Sequence, residues 1–286
     1  MTLLSASARI AGRLGLRLEA LTVDHGLRAE AGDEVQAVAA AAKALGVPHH
    51  VREAPVSGAG VEAAARAARY AALEAVRSAQ GLSVIATAHT ANDQAETLLM
   101  RLARGAALSG ASAIHESRAD LVIRPLLFLT RAQVEAYVAA LALPVAHDAM
   151  NDDERFLRTR VRKQVLPALT AAAGPGVERA LARFAALAAE DDAELTRQAS
   201  RALLTDGAMP AHFPAELAAL PRPIARRALA VWLAAQGVEL TAELIDDCLR
   251  AARDRGVATL PGDRLFACKD GRGLVVAAPP RLHATS

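Results

Sequence analysis

Short apolar runs alternate with longer helical patterns through the first half of the sequence. The runs lie near residues 18–23, 48–52, 82–88 and 121–123. The run LSVIATA at 82–88 contains Val and Ile and is typical of a strand buried on both faces. The connections are long enough for crossover helices, which parallel strands require. We therefore predict an α/β domain whose parallel sheet is covered by helices on both faces.

The pattern changes after Pro167, where only helices are predicted, over residues 176–199, 214–236 and 241–255. The chain then closes with two short alternating segments around Lys269-Asp270-Gly271, which has the composition of a hairpin turn. We predict a first, α/β domain over residues 1–168 and a second, mainly helical domain with a terminal hairpin over residues 169–286.

The composition excludes several classes of protein. Cys248 and Cys268 are the only cysteines in 286 residues, so neither a disulfide framework nor a cysteine metal cluster is available, which suits a reducing cytosol. No apolar run approaches the roughly 20 residues of a membrane span. We therefore expect a cytoplasmic protein with no membrane partner and no metal site of its own. The net charge is +2, and most cations are arginine, which suits phosphate recognition but also follows from GC-rich codon usage.

The stretch TAHTANDQAETLLMRLARG at residues 87–105 joins the end of an apolar run to an acidic helix start. Asn92 is placed to cap the helix, and Asp93 and Glu96 lie three apart on its first turn. Acidic residues complement helix N-termini in ordinary proteins, so this pair alone leaves a structural and a functional interpretation open. His89 favours the functional one, because open α/β sheets bind ligands at the carboxyl ends of their strands.

Other polar residues gather at comparable places. Asp24 and His25 follow the run at 18–23, at the end of another predicted strand. The predicted helix at 61–80 places Arg66 and Arg69 about one turn apart. The segment HDAMNDDERFLRTRVR at 147–162 is too polar for a core element, and its arginines favour a binding segment over a solvated charged face.

Five segments together resemble the bacterial tRNA(Ile)-lysidine synthetases of the PP-loop ATP pyrophosphatase superfamily. They are VDHGLR at 23–28, EAAARAARY at 62–70, AHTANDQAETLLMRLARG at 88–105, RPLL at 124–127 and NDDERFLRTRVR at 151–162. They occur in the family's order and spacing. The resemblance implies a PP-loop-type catalytic domain that lacks its first strand, followed by a mainly helical tRNA-binding domain.

The resemblance also implies a reaction. In that family ATP adenylates the C2 oxygen of the wobble cytidine of a tRNA(Ile) with anticodon CAU, and pyrophosphate leaves. The amine of free L-lysine then attacks C2 and displaces AMP, which gives lysidine. The implied cofactors are ATP and Mg²⁺ and the implied partners are this tRNA and lysine, while a homodimer stays open.

The family's site residues carry over onto matching positions of this sequence. The resemblance implies a lysine pocket at Asp93 and Glu96, which we group with Arg160 as catalytic. It implies an ATP pocket bordered by Asp24, His25 and His89. The arginines expected to bind phosphate or tRNA, or to stabilise charge near the adenylated cytidine, are Arg66, Arg69, Arg158, Arg160 and Arg162.

One defining motif of the family, the phosphate loop S-G-G-x-D-S, does not occur in this sequence. Met1 to Leu4 align with the residues just after that loop, whose backbone N–H groups hold pyrophosphate. We therefore expect ATP binding to need that loop, and we hypothesise that the start codon has been assigned too late.

Two alternatives stay open from sequence. The first is a non-catalytic tRNA- or RNA-binding remnant of the same fold, although a mere binder does not need the acidic pair Asp93 and Glu96. The second is another PP-loop tRNA-modifying enzyme. A cytidine thiolase of that superfamily would need clustered cysteines, which this sequence does not have.

Overall fold

The computed structural model describes residues 1–24, 31–55, 61–144, 153–254, 256–262, 264–268 and 274–277. The chain forms two compact units, Met1–Ala189 and Glu190–Ser286. The elements that begin in the first unit are α1 (Thr2–Leu14), β1 (Ala20–Asp24), α2 (Ala31–Ala44), β2 (His49–Glu53), α3 (Val61–Ala79), β3 (Ile85–Ala86), α4 (Ala91–Leu102), α5 (Leu108–Ala111), β4 (Val122–Ile123), α6 (Arg131–Ala140), α7 (Leu157–Arg160), α8 (Leu166–Ala173) and α9 (Val177–Leu203). Those of the second unit are α10 (Arg222–Ala235), α11 (Ala242–Asp254), β5 (Val257–Leu260), β6 (Arg264–Cys268) and β7 (Leu274–Ala277).

The strands of the first unit form two parallel pairs. In the pair of β1 and β2, Ala20 lies opposite His49, and in the pair of β3 and β4, Ile85 lies opposite Val122. Helix α2 contacts β1 and β2, while α3 contacts β1 and β3. The predicted α/β class with parallel strands is therefore confirmed, and each strand lies within three residues of its predicted run.

Helices α2 and α3 end at glycines, as their sequences predict. Gly46 and Gly81 have φ angles of 66° and 61°, the left-handed region that glycine adopts without a steric penalty. Such residues stop a helix and release the chain toward the next strand. Local turn chemistry therefore sets the lengths of both crossover connections.

Helix α4 begins with a capping box at Thr90. The Thr90 hydroxyl oxygen accepts from the Asp93 backbone N–H, and the Asp93 carboxylate accepts from the Thr90 backbone N–H at 2.7 Å. The prediction that Asn92 caps this helix is wrong. Its Oδ1 accepts instead from the backbone N–H of Arg131 at 2.8 Å, because Thr90 stands three residues before Asp93, the spacing that a capping box requires.

Residues 157–173 form one helical segment that is interrupted by a π-helical turn. Helix α7 leads into this turn at Val161–Val165, and α8 follows directly. Such turns occur often at functional sites because they change which side chains face a neighbour. The buried side chains Val161 and Leu166 pack with Ala95 of α4. This packing fixes the arginines of the segment next to the start of α4.

The division between the two units falls inside α9, which spans Val177–Leu203. The first half of this helix belongs to the first unit, because Ala185 and Ala188 are buried together with Leu98 of α4. This division lies about 20 residues beyond residue 168, where the sequence pattern changes. The assignment of two functional domains to residues 1–168 and 169–286 stays a prediction.

The second unit is built around a buried aromatic group. Phe213, Trp232 and Phe266 are at most 1% exposed, and their ring centroids lie 6.0 to 6.4 Å apart. The indole N–H of Trp232 donates to the Pro210 carbonyl at 2.9 Å. Trp232 meets both phenylalanine rings edge to face, with interplanar angles of 63°, an arrangement that stabilises the cluster in addition to the burial of apolar area.

Two details of the second unit differ from the sequence expectations. The helix predicted over 214–236 is divided into a 3-10 segment, Ala215–Ala219, and α10. Leu220 between them is extended because it precedes Pro221, which disfavours the helical region for its neighbour. The predicted hairpin is a three-stranded antiparallel sheet in the order β5, β6, β7. The expected turn at 269–271 lies outside the described residues.

Among the described helices, none is both long and apolar enough to cross a membrane.

Replacing Trp232 with Ala is expected to destabilise the second unit by about 3–5 kcal/mol, the usual cost of removing a buried aromatic side chain. Trp232→Phe should cost less, because a ring remains. Trp232 is the only tryptophan, so its replacement removes the tryptophan fluorescence. Unfolding by urea is therefore followed by circular dichroism. Leu204→Ala, at a side chain that is 38% exposed, is the control and should change stability by about 0.5 kcal/mol or less. Equal losses in the Trp232→Ala and Leu204→Ala variants would contradict this packing.

Candidate functional site

The centre of the site is a guanidinium held between two carboxylates. Arg158 of α7 donates from Nε to Glu96 Oε2 at 2.6 Å and from Nη2 to Asp93 Oδ1 at 2.5 Å. Glu96 is 4% exposed, while the Arg158 side chain is 34% exposed. Hydrogen bonds between ions of opposite charge are the strong ones, and the arginine fork adds geometric specificity. The predicted acidic pair is therefore bound to a predicted arginine.

Burial and charge act in opposite directions on Glu96. Burial raises the pKa of its carboxyl, because the charged form loses hydration. The charges of Arg158 and Arg162 lower the pKa and oppose that rise. These two arginines lie four residues apart, a spacing that places side chains on one face of a helix. Glu96 is therefore a buried acid whose ionisation depends on the cations of one neighbouring segment.

His89 lies just after β3, as the sequence predicts, and its Nδ1 is 3.0 Å from the Thr87 hydroxyl oxygen. The pKa of His89 is lowered to about 4, and burial of the ring is the largest cause. The Asp93 charge opposes this shift, and the charges of Arg124, Arg158 and Arg66 contribute to it. His89 is therefore a neutral imidazole at physiological pH, placed between the acidic pair and further arginines.

Two arginines converge on one tyrosine near this histidine. The guanidinium carbons of Arg66 and Arg118 lie 5.0 Å and 5.1 Å from the centroid of the Tyr70 ring, within the range of a cation–π contact. Arg118 also pairs with Asp120 at 2.6 Å. The charge of Arg66 lowers the pKa of Arg101, in addition to the effect of burial. Like charges are therefore concentrated at this end of α3.

Arg124, the first residue of the RPLL segment, adds a buried cation to this group. It is 5% exposed, and its Nη1 donates to the His115 carbonyl. In the part of the chain that the structure describes, its Nε has no hydrogen-bond partner. The backbone N–H of Arg124 donates to the Glu116 carbonyl, and the backbone N–H of Arg118 donates to the Val122 carbonyl. Residues 116–118 therefore run antiparallel to residues 122–124. Side chains alternate along such strands, which places Arg118 and Arg124 on the same face.

A cleft of about 440 Å³ opens beside Glu96. Its lining combines two acids, two arginines and a short apolar surface. The lining residues are Asn92, Glu96, Arg131, Arg162, Leu166, Pro167, Thr170, Ala171 and Glu178.

The remaining predicted site residues are distributed around this centre. Asp24 ends β1, and its carbonyl accepts from the Ala54 backbone N–H at 2.7 Å, while His25 lies outside the described residues. Arg69 is exposed on α3. Arg160 is not brought to the acidic pair, because it lies two residues from Arg158 on the other side of the helix. Its Nη1 donates to the carbonyls of residues 154 and 155 at 3.1 and 3.3 Å.

The described residues contain no group of three or more His, Cys, Asp or Glu side chains that could hold a metal ion. Asp93 and Glu96 are bound to Arg158 instead.

Sequence reasoning missed three contributors to the site. Arg118 and Arg124 lie in a segment without periodicity, and only the position of Arg124 directly after β4 could have identified it as a residue at a strand end. Thr90 was missed as a cap although it stands at capping-box spacing from Asp93. That spacing is a signal that the sequence contains.

Comparisons with known proteins agree on one family. Residues 1–169 match the family model of the PP-loop domain. The tRNA(Ile)-lysidine synthase of Salinispora tropica is 40% identical over 288 residues, which cover 95% of this chain and 86% of that protein. The tRNA(Ile)-lysidine synthase of Thermobifida fusca is 37% identical over 286 residues, which cover 97% of this chain and 88% of that protein.

A solved structure shares the fold. The U34-tRNA thiolase NcsA from Methanococcus maripaludis superposes with a TM-score of 0.51, over 65% of this chain and 67% of that one. The two sequences are 17% identical. At this level of identity the likeness concerns the fold alone.

The neutral state of His89 predicts a specific pH dependence of stability. Its folded pKa of about 4 lies below its ordinary value of 6.5, so the unfolded chain binds the proton first as the pH falls. The stability of the wild type relative to a His89→Gln variant should therefore fall between pH 6.5 and pH 4. Urea unfolding across this range measures it. Thr87→Val, which keeps the imidazole, should retain the pH dependence, and a flat difference for His89→Gln would contradict the burial of a neutral ring.

Proposed function

The chain belongs to the tRNA(Ile)-lysidine synthase family of PP-loop proteins, and from this premise we propose that it joins L-lysine to C2 of the wobble cytidine of a tRNA(Ile) with anticodon CAU, using ATP. Family membership was predicted from five sequence segments and is confirmed. The observation that carries the proposal is the acidic pair of the buried Glu96 and the half-buried Asp93, next to a group of arginines. The reaction needs a site for an amine and a site for phosphate, and this arrangement offers both.

The cleft beside Glu96 has the chemistry that a lysine molecule needs. Free lysine carries two ammonium groups, one carboxylate and an apolar stem of four methylenes. The cleft is lined by two acids, Glu96 and Glu178, by the arginines Arg131 and Arg162, and by apolar atoms that include those of Leu166. Each charge of the amino acid therefore has a partner of opposite sign, and its stem has an apolar surface.

Glu96 is suited to hold an ammonium and to take a proton from it. The amine must lose a proton before it attacks C2. Burial raises the pKa of the Glu96 carboxyl, which reduces the difference in proton affinity between this carboxylate and the amine. General base catalysis becomes more efficient as that difference shrinks.

The arginines near Tyr70 fit the phosphates of ATP or of the tRNA backbone. Arg66, Arg118 and Arg124 concentrate positive charge, and Arg124 has a buried Nε–H without a partner among the described residues. Arginine forks match the geometry of phosphate oxygens. ATP supplies the adenylyl group that activates the C2 oxygen, and Mg²⁺ would arrive with the ATP phosphates.

The other predicted residues have proposed roles at the edges of this site. Asp24, His25 and His89 would border the nucleotide, and the neutral imidazole of His89 would add no repulsion between the arginines. Arg69 and Arg160 are exposed and would contact the tRNA backbone. The domain over residues 169–286 would bind the rest of the tRNA, in the cytoplasm.

A direct assay tests the function. Unmodified tRNA(Ile) with anticodon CAU is incubated with the full-length protein, ATP, Mg²⁺ and radiolabelled lysine. Label should appear in the tRNA only when ATP is present, and it should be lost when the wobble cytidine is replaced by uridine. Because the sequence has no S-G-G-x-D-S phosphate loop, the assay is run in parallel with a form extended at its N-terminus by such a loop. Absence of label with both proteins would contradict the enzyme assignment.

The Glu96→Gln variant should raise the lysine concentration required for half-maximal rate by at least about tenfold, which corresponds to about 1.4 kcal/mol. The amide keeps the shape of the side chain but removes the charge that pairs with an ammonium. The tRNA dissociation constant, measured by filter binding, should change much less. Glu74→Gln, which removes an exposed carboxylate paired with Arg77 on α3, is the matched control. Equal losses in lysine and tRNA affinity would contradict the amine-binding role.

The Arg66→Ala variant should weaken the binding of a phosphate-bearing substrate. If the substrate is tRNA, the slope of log affinity against log salt should decrease in magnitude by about one, because one fewer counterion is released. If it is ATP, the concentration of ATP at half-maximal rate should rise while tRNA affinity stays constant. Arg13→Ala, at an exposed arginine in the last turn of α1, is the control. No change in either substrate would exclude Arg66 from phosphate binding.

A further inference from the structure

Arg158 binds one oxygen of Asp93 and one oxygen of Glu96, and an ammonium held between the two carboxylates would need the same two oxygens. Asp93 Oδ2 already accepts from the Thr90 backbone N–H at 2.7 Å and from the Thr90 hydroxyl at 2.8 Å. Its other oxygen, Oδ1, accepts from Arg158, and Glu96 Oε2 accepts from the same guanidinium. An ammonium bound between Asp93 Oδ1 and Glu96 Oε2 therefore competes with the Arg158 fork, while the other Asp93 oxygen stays in the cap of α4.

We propose that Arg158 determines the amine specificity of this site by competing with the substrate ammonium for Asp93 and Glu96, so that lysine binds by displacing the guanidinium. This inference rests on the proposed function, because the ammonium group is the chemistry that the proposed substrate brings. Arg158 acts on the substrate through the two carboxylates, and it is therefore a positioning and specificity-determining residue.

The exposure of the side chains makes the exchange feasible. The Arg158 side chain is 34% exposed, and that of Glu96 is 5% exposed. A displaced guanidinium can therefore regain water, whereas the Glu96 carboxylate cannot. Since an uncompensated buried charge is strongly unfavourable, Glu96 stays ionised only if another cation takes the place of Arg158. The cap of α4 stays in place, because the exchange needs only Oδ1 of Asp93.

Charge balance then explains how the site selects its ligand. Arg158 provides the two carboxylates with one hydrogen-bonded positive charge, and an ammonium in place of the guanidinium leaves that number unchanged, while the charge of Arg162 acts on Glu96 in both states. A ligand without a cationic group would leave the buried Glu96 carboxylate without a hydrogen-bonded counter-charge. Through this requirement, Arg158 makes the site select an amino acid with a cationic side chain over one with a neutral side chain.

The competition is tested by measuring lysine binding directly. Isothermal titration calorimetry of the full-length protein at pH 8, without nucleotide or RNA, gives the lysine dissociation constant. The Arg158→Gln variant should bind lysine at least about tenfold more tightly than the wild type, because its carboxylates have lost the internal competitor. Arg155→Ala removes an exposed arginine of the same segment that pairs with Asp153, and it should leave lysine affinity unchanged. Unchanged or weaker binding in the Arg158→Gln variant would overturn the competition.

Proton exchange provides a second readout that a merely structural arginine would not change. Arg158 lowers the pKa of Glu96 against the effect of burial, so without Arg158 the Glu96 carboxyl takes up a proton more readily. Lysine binding to the Arg158→Gln variant should then release more protons than binding to the wild type. Titrations in two buffers with different ionisation enthalpies measure this number. Equal proton release in both proteins would contradict the cation exchange.

The conservative variant keeps the test decisive when Arg158→Gln does not fold, as judged by circular dichroism. Arg158→Lys keeps one positive charge but lacks the fork that binds both carboxylates, so its lysine affinity should lie above that of the wild type. No gain in this variant would count against competition. A wild type that binds no lysine at all would contradict the proposed function itself, whereas tight wild-type binding without any gain in the variants would contradict only the role of Arg158.

Discussion

The site depends on one buried carboxylate that has to be neutralised. Glu96 is 4% exposed on the first turns of α4, and burial without a cation would be strongly unfavourable. The helical segment 157–173 supplies that cation, and it is held there by Val161 and Leu166, which pack against Ala95. The apolar contact and the ion pair therefore support each other, since the first places the arginines that the second requires.

The parts of this arrangement that could be predicted are those specified by nearby residues. The parallel strands, the glycine ends of α2 and α3 and the position of His89 all follow from patterns within a few residues. Asp93 and Glu96 could be recognised as a pair because they share one helical turn. The pairing with Arg158 could not be predicted, because Arg158 is 65 residues from Asp93 and 62 residues from Glu96 in the chain. No local pattern encodes that distance.

The predictions that were wrong or incomplete considered residues by type or motif, whereas contacts with other parts of the structure determine their roles. Asn92 is a good capping residue by type, but Thr90 satisfies both bonds of the capping box and leaves Asn92 to bind the backbone of α6. Arg124 was named only within a motif, because its burial depends on the antiparallel turn that brings 116–118 beside it. Arg160 was grouped with Arg158 and Arg162 by sequence, whereas helical geometry separates it from them.

The double use of Asp93 restricts which side chain this position can carry. One carboxylate oxygen closes the cap of α4 and the other binds a cation. Asparagine would keep the shape and a cap acceptor but carry no charge, and glutamate would keep the charge but move the carboxylate by one methylene. Aspartate alone meets both requirements. Helix stability and ligand binding therefore depend on the same residue, and a substitution at position 93 impairs at least one of the two.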